Sequence, residues 1–115
     1  MYPDFIAVKG TVQPTEGDCV LSVIELKREE FSVGSRSFIS AETQLIDYMY
    51  QAMATPLCLR PLHGFLVMRQ WTQEYCLVET PAGDTFWYKV GGLFSTTSDE
   101  FLDRLHVQAV RGWNL

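Results

Sequence analysis

The order of predicted elements repeats once along the chain, and this repetition constrains the fold more than any other feature. In each half, strand-like runs rich in β-branched and aromatic residues come before an amphipathic helical segment. The matched stretches are Phe5–Lys9 with Phe65–Arg69, and Leu45–Met49 with Phe101–Leu105. This pattern predicts a duplicated βββα unit. Shared apolar periodicity is the other explanation, because any two strand–turn–helix segments agree to some extent.

The predicted elements are six strands and two helices within a single domain of 115 residues. The first helix is expected from an N-cap at Ser40 to about Ala54, because Pro56 disfavours helical geometry at the preceding residue. The second is expected to begin at a capping box, Thr97–Glu100, and whether 106–110 continues it or forms a last strand is left open. The predicted strands span 5–12, 19–26, 31–38, 65–71, 75–80 and 85–90, and the pseudo-repeats span 4–54 and 64–111.

The fold class predicted from these elements is α+β, with an antiparallel sheet of about six strands and both helices on one face. Pro81–Asp84 has the composition of a hairpin turn, and Gln13–Asp18 is a run of turn formers. Residues 57–64, which include Pro61 and Gly64, are predicted to connect the two halves, and Thr72–Gln73 is predicted as a short turn.

Charge and composition favour a globular protein that does not rely on binding phosphates. Apolar residues make up 47% of the chain and charged residues 20%, which is ordinary for a packed domain. The formal net charge is −5 with nine Lys and Arg residues, whereas non-specific nucleic-acid affinity needs many cations. The acidity indicates either a basic protein partner or simply solubility.

Cysteine usage and the absence of long apolar runs favour a soluble cytoplasmic protein. The three cysteines are odd in number and show no CxxC spacing, so reduced and buried thiols are expected rather than disulfides. The N-terminal residues lack the pattern of a signal peptide, and no apolar stretch approaches the ~20 residues that span a bilayer.

Strand alternation predicts an exposed sheet face that carries aromatic and basic side chains. Such residues are enriched at protein-binding hot spots, so this face is the first candidate site. The candidate contacts are Arg69, Trp71, Tyr75, Trp87 and Lys89, with Glu79 and Lys9 beside them. Phe86, Tyr88 and Val90 are expected on the opposite, covered side. Cover by loops or by Trp113 is the structural alternative for the two tryptophans.

Acidic side chains gather on the helices and form a second candidate contact surface. Asp99, Glu100 and Asp103 lie on the second predicted helix, and Glu42 and Asp47 lie on the first. A solvated helix face with acids that favour the helix dipole explains them structurally. The functional alternative is an acidic surface that competes for a basic channel on another protein.

Motifs for catalysis, metal binding or cofactor binding are not found, so no metal and no cofactor is expected and the chain is predicted to be non-enzymatic. His63 and His106 have no neighbour at a metal-ligand spacing. Cys58 and His63 are close in sequence, but a nucleophilic pair requires spatial adjacency, and a chance pairing is the favoured interpretation.

The stretch Ser32–Tyr50 resembles the strand-to-helix passage of small phage anti-CRISPR proteins directed at type I-F surveillance complexes. It shares a strand, a phenylalanine, a small capping residue and an acidic helix start, over about a sixth of the chain. The resemblance implies an inhibitor that binds a larger protein complex without chemistry, as a phage or plasmid accessory protein. The alternatives are a nucleic-acid-binding module that uses the aromatic and basic face, and a structural subunit or homodimeric adaptor.

Overall fold

The computed structural model describes residues 5–10, 19–29 and 31–113, which form an α+β fold. The described elements are β1 (Phe5–Gly10), β2 (Cys19–Lys27), α1 (Arg36–Met53), β3 (Cys58–Met68), β4 (Trp71–Glu79), β5 (Thr85–Ser95) and α2 (Asp99–Trp113). The predicted turn at Gln13–Asp18 lies outside the described residues.

The sheet is mixed, and its strands lie in chain order from β1 to β5. The pair β2–β3 is parallel, whereas β3–β4 and β4–β5 are antiparallel, and β1 pairs antiparallel with β2 at one edge. The prediction of about six antiparallel strands is therefore wrong. The chain passes through the 18-residue helix α1 between β2 and β3, and such a crossover returns it in the same direction.

Helix α1 begins earlier than predicted, so the expected strand at 31–38 does not form. Ser35 is the N-cap, and its side chain accepts a hydrogen bond from the Phe38 backbone N–H at 3.2 Å. Phe38 is buried on the same face as Leu45 and Met49. The apolar stripe at helical spacing therefore extends back to Phe38, and its burial favours helix over strand.

The segment predicted as a connection, residues 57–64, is mostly the first half of β3. Pro61 is tolerated there because the β2–β3 register is irregular between Val20 and Ser22, where a ladder hydrogen bond is not needed. Gly64 lies where α1 approaches the sheet closely: a Cβ at this position would be 2.5 Å from Met49 Sδ. Pro61 and Gly64 therefore lie within β3 and do not end it.

The two helices cover opposite faces of the sheet, which corrects the prediction that they share one face. Leu62, Leu66 and Met68 of β3 belong to the core cluster that includes the buried side of α1. Phe65 and Val67 alternate with them and form a second cluster, against which Phe101 and Leu105 of α2 pack. Because alternate strand residues point to opposite faces, α1 and α2 lie on different sides.

The second half of the chain follows the sequence interpretation more closely. The Pro81–Asp84 hairpin is confirmed: Gly83 has φ +91°, and the Thr80 N–H donates to the Asp84 carbonyl at 2.7 Å. The turn between β3 and β4 lies at Arg69–Gln70 instead of 72–73, and 106–110 is helical. Two strands precede α1 and three precede α2 among the described elements, so the duplication stays a prediction.

Candidate functional site

Strand β5 is an edge strand whose first half is exposed. It is antiparallel to β4 on one side, and no other strand in the described ranges pairs with its outer side. The run Thr85–Lys89 combines a β-branched residue with three aromatics, which favours an extended backbone. All five of these residues are exposed. The backbone N–H and C=O groups on the outer side of β5 are therefore accessible to another strand.

Both faces of β5 carry exposed aromatic side chains. Phe86 and Tyr88 are 50% and 48% exposed, and their rings stack with centroids 6.4 Å apart on the face that α2 partly covers. Trp87 is 39% exposed on the α1 face, where its ring packs edge-on against Tyr75 at 5.8 Å. We call Phe86, Trp87, Tyr88, Lys89 and the outer backbone edge of this run the β5 surface.

The β5 surface is exposed because neither helix packs over Phe86–Tyr88: α2 meets β5 further along the strand, at Val90 and Phe94. Helix α1 packs mainly on β3 and β2, and α2 runs from β5 towards β2. The arrangement corrects the expected faces: Phe86 and Tyr88, expected on the covered side, are exposed. Tyr75, expected on an open face, is fully buried under α1. Alternation correctly groups Trp87 with Tyr75, but it does not show which face a helix covers.

Lys89 is held against α1 by a small polar cluster. Its ammonium lies 5.3 Å from the centroid of the Phe38 ring and 3.6 Å from Glu42 Oε2. The Tyr75 hydroxyl donates to the same carboxylate oxygen at 2.6 Å. Burial, followed by the hydrogen bond and charge of Glu42, raises the pKa of Tyr75, so its hydroxyl stays protonated.

A Tyr75→Phe substitution is expected to reduce the amount of folding stability that the protein loses as the pH becomes alkaline. The pKa of Tyr75 is raised on folding, so its contribution is fully present below the unfolded pKa of about 10 and is lost as the pH rises above it. The measurement is the urea unfolding free energy of both proteins at about pH 8 and about pH 10.5. Wild type should lose more stability between these points than the variant, and equal losses would contradict the assignment.

The other face of the sheet carries a buried ionic network that joins β3, β4 and α2. One carboxylate oxygen of Glu74 accepts a hydrogen bond from Arg104 Nη1 at 2.9 Å, and the other oxygen lies 2.5 Å from His63 Nδ1. Arg104 also donates to Glu100 at 2.7 Å and lies 4.3 Å above the Phe94 ring. Burial lowers the pKa of Arg104, but its hydrogen bonds to Glu100 and Glu74 outweigh this and leave the pKa raised.

This network holds α2 on the sheet, and sequence reasoning missed it. Glu74 and Arg104 are 30 residues apart, so their pairing is not visible in any local pattern. The available signal is Glu74 itself, because a carboxylate within a largely apolar strand requires a partner.

Cys58 and His63 are not brought together. Cys58 belongs to the core cluster under α1, whereas the His63 ring bonds to Glu74 on the α2 face. Burial raises the pKa of Cys58 to about 11, outweighing the opposite effect of Arg60. The thiol is therefore protonated at neutral pH and is a weak nucleophile there.

The remaining residues proposed from sequence lie apart from one another. Arg69 occupies the β3–β4 turn with φ 53°. Trp71 is 45% exposed at the start of β4 and pairs with Ser95, while Trp87 pairs with Leu77. The two tryptophans are thus six β4 positions apart, or roughly 20 Å at the usual strand rise. They do not form one patch.

Asp99, Glu100 and Asp103 are exposed in the first turns of α2, the helix end that favours negative charge. Of the three, Glu100 is bound to Arg104. The expected acidic surface therefore consists of Asp99 and Asp103 on one helix.

Within the described residues, no helix is both long and apolar enough to cross a membrane. No group of three or more potential metal ligands is found in this part of the chain. Comparison of the chain with protein-family models, with curated proteins and with solved structures gives no match.

Proposed function

We propose that the chain is a non-enzymatic protein-binding module, a small inhibitor or regulator of a larger protein complex, which binds its partner through the β5 surface. The observation that carries this proposal is the outer edge of β5, which no strand of the described residues pairs with, flanked by three exposed aromatic rings. An extended segment of the partner would add a strand to the sheet there.

Edge strands of folded proteins usually carry features that block further pairing, such as proline, inward charges or a very short length. Strand β5 has 11 residues, contains no proline and carries Lys89 as its single charged side chain. That charge is directed towards Glu42 and Phe38. Lys89 is therefore the one blocking feature in this run, and residues 85–88 carry none, which leaves their outer backbone edge open to another strand.

The exposed aromatics supply the second part of a binding site. A partner strand contributes main-chain hydrogen bonds, and alternate side chains provide specificity. Phe86 and Tyr88 would contact the added strand on the α2 face of the sheet, and Trp87 would contact it on the α1 face. Large aromatic rings that lose water on binding are the commonest hot-spot residues.

The partner is proposed to be a protein in the cytoplasm. All three cysteines are free and buried, which suits a reducing compartment. Nucleic-acid binding by Arg69, Trp71, Trp87 and Lys89 is disfavoured, because these residues are dispersed and Lys89 is already near a carboxylate. The net charge of −5 adds a further electrostatic barrier to a phosphate backbone.

Site-specific photo-crosslinking in host cells tests the proposal. A photoreactive phenylalanine analogue placed at Phe86 is expected to crosslink to one larger protein, through a segment of that protein in extended conformation. The matched control places the analogue at Leu102, which is 67% exposed on α2. Crosslinks at Leu102 and none at Phe86 would reject the β5 surface. Recovery of nucleic acid whose binding falls steeply with salt would favour the alternative function instead.

A further inference from the structure

We propose that in the absence of its partner the protein forms a reversible homodimer in which β5 pairs antiparallel with β5 of a second copy. This inference rests on the proposed function, because it concerns the occupant of the same β5 surface when the partner is absent. The dimer would keep the aromatic edge covered, and the partner would have to displace the second copy.

The backbone geometry fits such pairing. Two identical strands that meet antiparallel are related by a two-fold axis, so one surface is complementary to itself. The regular part of β5 ends before Gly91, whose φ of +69° interrupts the extended backbone. The regular run of β5 is therefore 85–90, and an antiparallel pairing centred on Trp87 uses five of its six residues.

The register centred on Trp87 joins compatible side chains on both faces of the sheet. On the α2 face, Phe86 of each copy lies opposite Tyr88 of the other, which is a favourable cross-strand aromatic pair. On the α1 face, Trp87 meets its own counterpart, and Thr85 lies opposite Lys89 of the second copy. No two like charges are placed opposite each other.

The exposed area is sufficient for a weak specific contact. A buried aromatic side chain covers roughly 150–250 Å², and Phe86, Trp87 and Tyr88 are 50%, 39% and 48% exposed. These rings therefore contribute about 300 Å² per copy, and the strand edges bring the total to the order of 1,000 Å². An interface of this size fits a transient dimer that exchanges with another occupant.

A charge pair at Thr85 tests both the surface and the register. Thr85→Glu would place a carboxylate opposite Lys89 of the second copy, whereas Thr85→Lys would place two cations opposite each other. Both variants lose the same hydrogen bond from Thr85 to the Tyr50 hydroxyl, and both new charges also face Glu79 on β4 of the same chain. Urea unfolding of each variant measures this intramolecular effect, which favours Lys over Glu and is therefore opposite in sign to the effect expected on dimerisation. Circular dichroism verifies that both remain folded.

The measurement is sedimentation equilibrium of the purified chain alone, from about 1 μM to about 1 mM, the range of weak complexes. The average mass of the wild type should rise from 13.1 kDa towards twice that value. The dissociation constant should fall several-fold for Thr85→Glu and rise several-fold for Thr85→Lys. A chain that stays monomeric throughout, or a dimer that responds to both variants alike, would overturn the proposal.

These results are separable from those of the crosslinking experiment. If the purified chain is monomeric but still crosslinks to a larger protein at Phe86, the homodimer proposal is rejected and the proposed binding function is supported. A dimer that responds to Thr85 as expected, but crosslinks only to its own chain, would support the homodimer and reject the larger partner.

Discussion

An Arg104→Met substitution is expected to destabilise the folded protein by about 3 kcal/mol, because it leaves a buried carboxylate without its main cation. Glu74 has a side chain only 5% exposed and would retain His63 alone. The value lies at the low end for broken buried ion pairs, since Arg104 is itself 23% exposed. The measurement is the free energy of unfolding in guanidinium chloride.

The matched control for Arg104 is Glu100→Gln, which removes the exposed partner of the same guanidinium. The Glu100 side chain is 51% exposed, so the cost should stay below about 1 kcal/mol. The double variant Arg104→Met/Glu74→Gln should be more stable than Arg104→Met alone, because the uncompensated charge is gone. Equal unfolding free energies for wild type and Arg104→Met would show that the network does not hold α2 on the sheet.

A Phe65→Ala substitution is expected to cost about 3–5 kcal/mol, which is typical of a large buried side chain removed from a core. Phe65 is fully buried at the centre of the cluster under α2, and its ring lies 5.6 Å from that of Phe101. The apolar residues Phe101 and Leu105 of α2 both pack against the cluster that contains Phe65, so hydrogen-exchange protection should fall most in this helix.

The comparison for Phe65 is the same change at Phe86, which is 50% exposed on β5. Phe86→Ala should alter the unfolding free energy by less than about 1 kcal/mol, while it weakens binding at the β5 surface. Chemical denaturation of both variants separates the two roles. A cost at Phe86 as large as that at Phe65 would mean that Phe86 supports the core.

Individual strands are predictable from sequence where local chemistry decides them. The hairpin at Pro81–Asp84 and the alternation of Phe86, Trp87 and Tyr88 depend only on adjacent residues. The start of α1 is harder to predict, because Ser35 and Ser40 are both suitable N-cap residues. The burial of Phe38 favours the earlier start, at Ser35. That burial depends on β3 and β4, which come later in the chain.

The sheet order and the faces covered by the helices depend on long-range packing. Nothing local requires β2 and β3 to be parallel; the direction follows from where α1 lies. Likewise, alternation separates the two sides of β5 correctly, but the exposure of residues on each side depends on how far α1 and α2 extend over the strand. The site predicted from sequence and the proposed β5 surface share Trp87 and Lys89 but differ in their other residues: Tyr75 is buried, whereas Phe86 and Tyr88 are exposed.

Because each helix packs on its own face of the central strands, Phe86 and Tyr88 of the β5 surface are expected to contribute little to the protein's stability. Phe86 and Tyr88 contact each other, are about half exposed and are not among the buried members of either core cluster. Substitutions there can accumulate without unfolding the domain, since surface changes usually have small effects on stability. If the β5 surface binds a partner as proposed, its specificity is therefore free to change without loss of the folded scaffold.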